Sequence, residues 1–279
     1  MNPLRLVLLL VSTFALACGG GDGDPITIDP DPLGTRFVDL TLISVPSTNG
    51  TSMDALARDF DGDGDLDIIV AIEFFGNQYL NNLGGGQFSR ENIRLPLNLL
   101  DSEDIAAWDF DEDGDLDVVI VSEDTQENEY YLNDGTGFFV EFSRGMPTAG
   151  RSNAVVAADF DADGHGDLLI GNNGQNVILM GNGLGGFIIE TLTRLPTSAE
   201  VTQDVEIGDV DGDGDLDIIE ANEGANRLLI NDGSGVFTDE SESRLPVSTS
   251  ETREAAFGDV DGDGDLDIAF GNVRFLGNS

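Results

Sequence analysis

Five copies of the pattern DxDxDGxxD, opening at Asp59, Asp109, Asp159, Asp209 and Asp259, recur at a constant spacing of 50 residues. A repeat this regular means that each copy is one supersecondary unit, stable only when it buries an apolar face against its neighbours. A short stretch of small and apolar residues precedes each loop, as in Ala55 to Ala57 or Val155 to Ala158, and a β-branched run follows, as in Ile68 to Ala71 or Val118 to Val121. These read as two strands flanking the loop. A third apolar run (Tyr79-Leu80, Tyr130 to Leu132, Val177 to Met180, Leu228 to Ile230) ends in turn signals such as Asn133-Asp134-Gly135, and a fourth strand is expected from Phe88, Phe138, Phe187 and Phe237 to Pro96, Pro147, Pro196 and Pro246. Four short antiparallel strands per unit make the blade of a β-propeller, and the fold class is all-β.

The chain ends sharpen the count. Gly34 through Pro46 has the fourth-strand pattern without partners before it, and the last unit stops at Ser279 just after a third strand at Arg274-Phe275-Leu276. An N-terminal strand completing the last blade would close a ring of five and remove exposed sheet edges; the alternative is a fragment of a larger ring. The propeller is assigned to residues 34–279, a Gly/Asp/Pro-rich tether to 18–33 and a signal peptide to 1–17, where Arg5 precedes the apolar run Leu6 to Ala17. Ala15-Leu16-Ala17-Cys18 is similar to a bacterial lipobox, with Ala15 where the usual Leu stands, so Cys18 is the expected lipid attachment point. The protein is expected to leave the cytoplasm as an outer-membrane or cell-surface lipoprotein, or otherwise as a periplasmic or secreted protein, touching a membrane only through that anchor.

The chemistry of the loops is hard oxygen. Ligands at positions 1, 3 and 5 point inward from a curved backbone, glycine at position 6 permits the sharp turn, and a carboxylate at 9 closes the shell, an arrangement suited to Ca²⁺. With one His and one Cys in the chain there is no zinc cluster. The whole unit resembles the FG-GAP/VCBS repeats, the calcium-bearing blades of integrin alpha-chain propellers and of many secreted bacterial proteins, over roughly residues 34 to 279. That resemblance implies side-chain ligation from positions 1, 3, 5 and 9 and a backbone carbonyl from position 7, with about one Ca²⁺ per loop and up to five in all. The first loop would use Asp59, Asp61, Asp63, Asp65 and Asp67, and the second Asp109, Asp111, Asp113, Asp115 and Asp117. The third has Asp159, Asp161, Asp163, His165 and Asp167, departing from the pattern at His165 and Gly166. The fourth has Asp209, Asp211, Asp213, Asp215 and Asp217, and the fifth Asp259, Asp261, Asp263, Asp265 and Asp267. Since position 7 would offer only its carbonyl, His165 is read as a tolerated loop residue. Asp209 to Glu220 also fits the EF-hand expression, but strands flank it and the other copies have Val70, Ile120, Ile170 and Phe270 at that place, so Glu220 is at most an outer ligand.

Charge narrows the function. The 54 acidic residues face 12 basic ones, all arginine, for a net charge of -42; clustered basic residues for a phosphate backbone are missing, which argues against nucleic acid. Absence of lysine removes Schiff-base and lysine-base chemistry. Because 24 of the acids are aspartates of the loops, the acidity is in large part an ion-binding device. Arg94, Arg144, Arg194 and Arg244 share the 50-residue period; they would either bind an anionic ligand or tie blades together by pairing with Asp104, Asp204 or Glu254. Recognition would sit on the variable stretches opposite the loops, Ile72 to Phe75, Leu97 to Glu103 and Ser122 to Glu127, with Phe74 and Phe75 as candidate contacts and Trp108 as core. The expected function is a non-enzymatic adhesion or recognition module for a protein or glycan. A polysaccharide lyase or related secreted enzyme, and a purely structural surface protein, are the alternatives.

Overall fold

The β-branched run after each aspartate loop becomes the buried second strand of an antiparallel sheet. In the computed structural model, which describes Pro46 and residues 50–124, 127–142, 146, 150–248 and 250–273, four such sheets have four strands each, and a fifth shows two. The first blade comprises β1 (Thr51–Arg58), β2 (Asp67–Glu73), β3 (Gln78–Asn82) and β4 (Phe88–Arg90), and the second β5 (Ser102–Trp108), β6 (Asp117–Ser122), β7 (Glu129–Asn133) and β8 (Phe139–Glu141). The third holds β9 (Ser152–Ala158), β10 (Asp167–Asn172), β11 (Val177–Gly181) and β12 (Phe187–Ile189). The fourth holds β13 (Thr202–Gly208), β14 (Asp217–Asn222), β15 (Arg227–Asn231) and β16 (Phe237–Asp239), and β17 (Thr252–Gly258) pairs with β18 (Asp267–Asn272) in the fifth. Strands β6, β10 and β14 are buried along their whole length, as expected where both faces of a sheet are covered.

The blades stack like those of a propeller. First strands of successive sheets pack side by side, β1 on β5, β5 on β9, β9 on β13 and β13 on β17. The apolar core lies between blades: Phe60, Ile69 and Tyr79 of the first meet Ile105, Tyr131 and Phe139 of the second, and Phe160 and Ile178 of the third meet Ile218 and Phe237 of the fourth. The aromatic residue at loop position 2 is the wedge, with Phe60 against Phe139, Phe110 against Phe187 and Phe160 against Phe237 at centroid distances of 5.7, 5.1 and 5.8 Å. Burying each such ring contributes about 2–3 kcal/mol.

Two features of the blade differ from the sequence reading. The fourth strands are three residues long rather than running to the proline; after β12 and β16 the chain turns through α1 (Thr191–Arg194) and α2 (Ser241–Arg244). The hydroxyls of Thr191 and Ser241 accept the Ile178 and Leu228 amides and so cap the ladder there. The first strands of the second to fifth blades also carry a bulge at their second residue, Glu103, Asn153, Gln203 and Arg253, a device that re-aims one side chain. The signal, the tether, Cys18, the orphan strand from Gly34, Arg144 and the third strand at Arg274 to Leu276 lie outside the described residues, and with them the expected closure of the ring.

Candidate functional site

The aspartate loops connect first and second strands and stand together at one end of the blades. Position 1 organises each turn: Asp59 Oδ1 accepts from the Gly62 amide at 2.9 Å and Oδ2 from the Gly64 amide at 3.0 Å, and Asp109, Asp159, Asp209 and Asp259 repeat the bond to the position-6 glycine. That glycine has φ between 93° and 101° in all five loops, a region closed to most side chains. Position 5 closes an Asx turn, with Asp63, Asp113, Asp163, Asp213 and Asp263 each accepting from the amide of position 7. Position 9 is buried in the first four loops: Asp117 accepts from the Phe110 amide at 3.0 Å and the Asn133 amide at 2.9 Å, and Asp167 and Asp217 do the same within their blades. In the first blade the Tyr79 hydroxyl takes the place of one of these amides on Asp67.

These bonds converge the carboxylates of positions 1, 3 and 9. One oxygen from each lies within 4.8 Å of the others in Asp59, Asp61 and Asp67, in Asp109, Asp111 and Asp117, in Asp159, Asp161 and Asp167, and in Asp209, Asp211 and Asp217. Position 5 stands outside these groups, and so do the side chains of Asp65, Asp115, His165, Asp215 and Asp265 at position 7. Oδ1 of Asp61, Asp111 and Asp161 is buried without any hydrogen-bond partner, an acceptor beside each group that a bound cation would satisfy. Burial, with neighbouring aspartates, raises three of the position-9 carboxyls, Asp117 to about 7, Asp167 to about 6, and Asp217. The arrangement can hold a hard cation in each of these loops.

Around the loops lie side chains whose partners the sequence did not reveal. Arg94 binds Glu91 at 2.6 Å, Asp61 of its own loop at 3.3 Å and the Thr136 carbonyl of the next blade at 2.6 Å. Arg194 repeats this with Glu190, Asp161 and the Ser234 carbonyl, and Arg244 pairs with Glu240 and Asp211. Arg94 and Arg194 therefore join blades through turn carbonyls, and with Arg244 they hold the position-3 aspartates of their own loops, rather than pairing with Asp104, Asp204 or Glu254. Glu220 is no outer ligand; it is buried in β14, held by Arg227 at 3.0 Å and by Asn176 of the preceding blade at 2.8 Å. His165 is more than tolerated, since its Nδ1 meets Glu112 of the preceding loop, whose carboxylate raises its pKa. Gly166 is explained by packing: a Cβ there would lie 2.1 Å from Cδ1 of Trp108, which fills the place next to the loop. The reverse exchange occurs at Gly208, where Leu266 of the next loop occupies the space.

Two further acidic groups escaped the sequence reading. Along the first strands, Asp104 accepts from the Val155 amide and Asp204 from the Ala255 amide, each at 2.7 Å, linking neighbouring blades. Burial raises Asp54, Asp104 and Glu254 and pushes Asp204 up to about 7, and Asp54 adds to the shift of Glu254, so β17 lies within electrostatic reach of β1. Their signal was the period itself, an acid at the same point in every unit except at Ala154. The second group, Asp101, Glu103 and Glu123, lies at the opposite end of the blade from the loops. Nearby on that end, Phe74 and Phe75 are half exposed and Leu97 and Leu99 more so.

The sequence profile of the FG-GAP-like repeat matches residues 109–170, 159–220 and 209–270. No curated protein matches the chain. Among solved structures, a lectin of Agrocybe aegerita, described as recognising non-reducing terminal N-acetylglucosamine, is similar at 22% identity over 65% of this chain and 49% of that one, with a TM-score of 0.44. The V. cholerae biofilm matrix protein Bap1 is similar at 18% identity over 82% of this chain and 36% of that one, with a TM-score of 0.47. This chain thus spans about half of the lectin and about a third of the matrix protein.

Proposed function

The chain belongs to the FG-GAP-like repeat family, and from that premise we propose that it is a calcium-binding propeller, exported from the cytoplasm, that recognises a protein or glycan without transforming it. The observation that carries the calcium reading is the unpartnered, buried Oδ1 of Asp61, Asp111 and Asp161 inside an all-oxygen group. Ca²⁺ accepts several protein carboxylates, whereas Mg²⁺ prefers to keep its water and Zn²⁺ prefers nitrogen or sulfur. Recognition is supported by the opposite end of the blades, where half-exposed Phe74 and Phe75 sit beside connections that differ from unit to unit. Of the periodic arginines, Arg94, Arg194 and Arg244 are occupied with Glu91, Glu190 and Glu240 rather than free for an anionic polymer.

Calorimetric titration of Ca²⁺ into chelator-stripped protein tests the metal: Asp211→Asn with Asp213→Asn should bind one ion fewer, and an unchanged stoichiometry would show that this loop is empty. Asp217 is left in place because its carboxylate holds the loop to Val210 and Asn231. A glycan array run beside a lyase assay on acidic polysaccharides tests the recognition reading. Binding without cleavage is the expected result; cleavage products would overturn it.

A further inference from the structure

A group of carboxylates, Asp101, Glu103 and Glu123, lies on the rim away from the loops. Asp101 is 5% exposed, and its Oδ1 is buried with no hydrogen-bond partner. One oxygen each from Asp101, Glu103 and Glu123 lies within 4.8 Å of the others. Glu73 stands next to them, since it bridges to Asp101 across the junction of the first and second blades. Glu103 is the bulge residue of β5, which turns its carboxylate toward this point. Among the described residues, no ion pair reaches Asp101, Glu103 or Glu123. Three carboxylates at this separation repel one another unless a cation lies between them.

The same junction three repeats later shows what a cation does there. Residues 150 positions further on are Glu223 for Glu73, Glu251 for Asp101 and Arg253 for Glu103. Arg253, again the bulge residue of its strand, places its guanidinium 2.5 Å from Glu251 and 3.9 Å from Glu223 and donates to Gln203. One junction therefore carries its own cation on the chain. The other has a glutamate at that position and a further one, Glu123, where the fifth blade has Val273. Arg253 comes within electrostatic reach of Glu103 but is committed to the pair it already serves.

We propose that Asp101, Glu103 and Glu123 form an additional Ca²⁺ site, on the rim opposite the repeated loops and distinct from them. All donors are oxygen, with no histidine or cysteine near, which suits Ca²⁺ over the softer metals. Asp101 supplies the buried ligand, Glu103 the ligand aimed by the bulge, and Glu123 the exposed one that leaves the ion open to solvent beside Phe74, whose amide bonds the Leu100 carbonyl at 2.9 Å.

The test is titration of CaCl₂ into the chelator-stripped full chain, comparing wild type with Glu103→Arg and Glu123→Gln. Glu103→Arg copies the fifth blade; it should bind one ion fewer and, without calcium, melt about 2–4 °C higher than wild type. Glu123→Gln, at an exposed position that keeps the fold, should weaken one site by about tenfold or more. Isotherms of both variants that superimpose on wild type overturn the proposal, and if Glu103→Arg fails to fold, the Glu123→Gln isotherm alone decides. Failure of the loop reading looks different: wild type would then take up a single ion, and Glu103→Arg none.

Discussion

The two ends of the blades obey different rules. At the loop end the units share one geometry, with position 1 folding the turn, position 9 anchoring it and, in the first three, a buried position-3 oxygen left without a hydrogen-bond partner. At the opposite end the equivalent residues change from unit to unit: Glu103 in the second blade is Gln203 in the fourth and Arg253 in the fifth, and the half-exposed Phe74 and Phe75 have no counterparts. Uniform residues hold the scaffold and repeat one all-oxygen geometry, whereas individual ones are free to acquire a partner. The contrast teaches that the repeated aspartates and the residues that differ between units lie at opposite ends.

That contrast can be broken most directly by removing calcium. Each ion present at a hundred- to a thousandfold over its Kd adds about 3–4 kcal/mol, so EGTA should lower the melting temperature by more than about 20 °C; superimposable melts with calcium and with EGTA would make the loop end an ordinary acidic surface. Next in size is Gly166→Leu, which drives a side chain into Trp108 and should cost about 3 kcal/mol, or about 6–10 °C. Adding Trp108→Ala should recover part of that loss, and a strictly additive double variant would show that the two sites do not share space.

A smaller effect is expected at the axis between the two ends. Burial lifts the Asp204 carboxyl to about 7, above its unfolded value near 4. Its favourable contribution is therefore complete below about pH 4 and is lost as the pH rises through about 7. Asp204→Asn keeps an acceptor for the Ala255 amide and should raise the melting temperature by about 2–4 °C at pH 8, with no gain at pH 4; a loss at pH 8 would contradict the shift. The smallest change in stability belongs to the variable end, where Phe74→Ser with Phe75→Ser should move the melting temperature by less than about 2 °C while abolishing any glycan-array signal. A retained signal would move recognition elsewhere.

Much of this was legible from the period alone. The strand-loop-strand core of each blade and the loop positions follow from a pattern that leaves little freedom, because a glycine at position 6 and acids on alternate residues dictate one turn. What escaped were the contacts between units. The partners of Arg94 and Arg194 lie 33 and 42 or 33 and 40 residues away, and periodicity within a unit says nothing about which neighbour a side chain reaches. The fourth strands ran short because hydroxyls at Thr191 and Ser241 compete with the ladder, a local choice that an apolar pattern does not encode. The departure at Gly166 was visible, but its cause was not, since Trp108 lies a full unit earlier in the chain.

The bonds between units also have a direction. The Asn133 amide group reaches back to the Phe60 carbonyl and that of Asn231 to the Phe160 carbonyl, while Arg94 and Arg194 reach forward to Thr136 and Ser234. The first–second and third–fourth junctions are thus clasped from both sides at the loop end. Tension along the chain meets these clasps one after another, so the molecule would yield under load blade by blade rather than all at once.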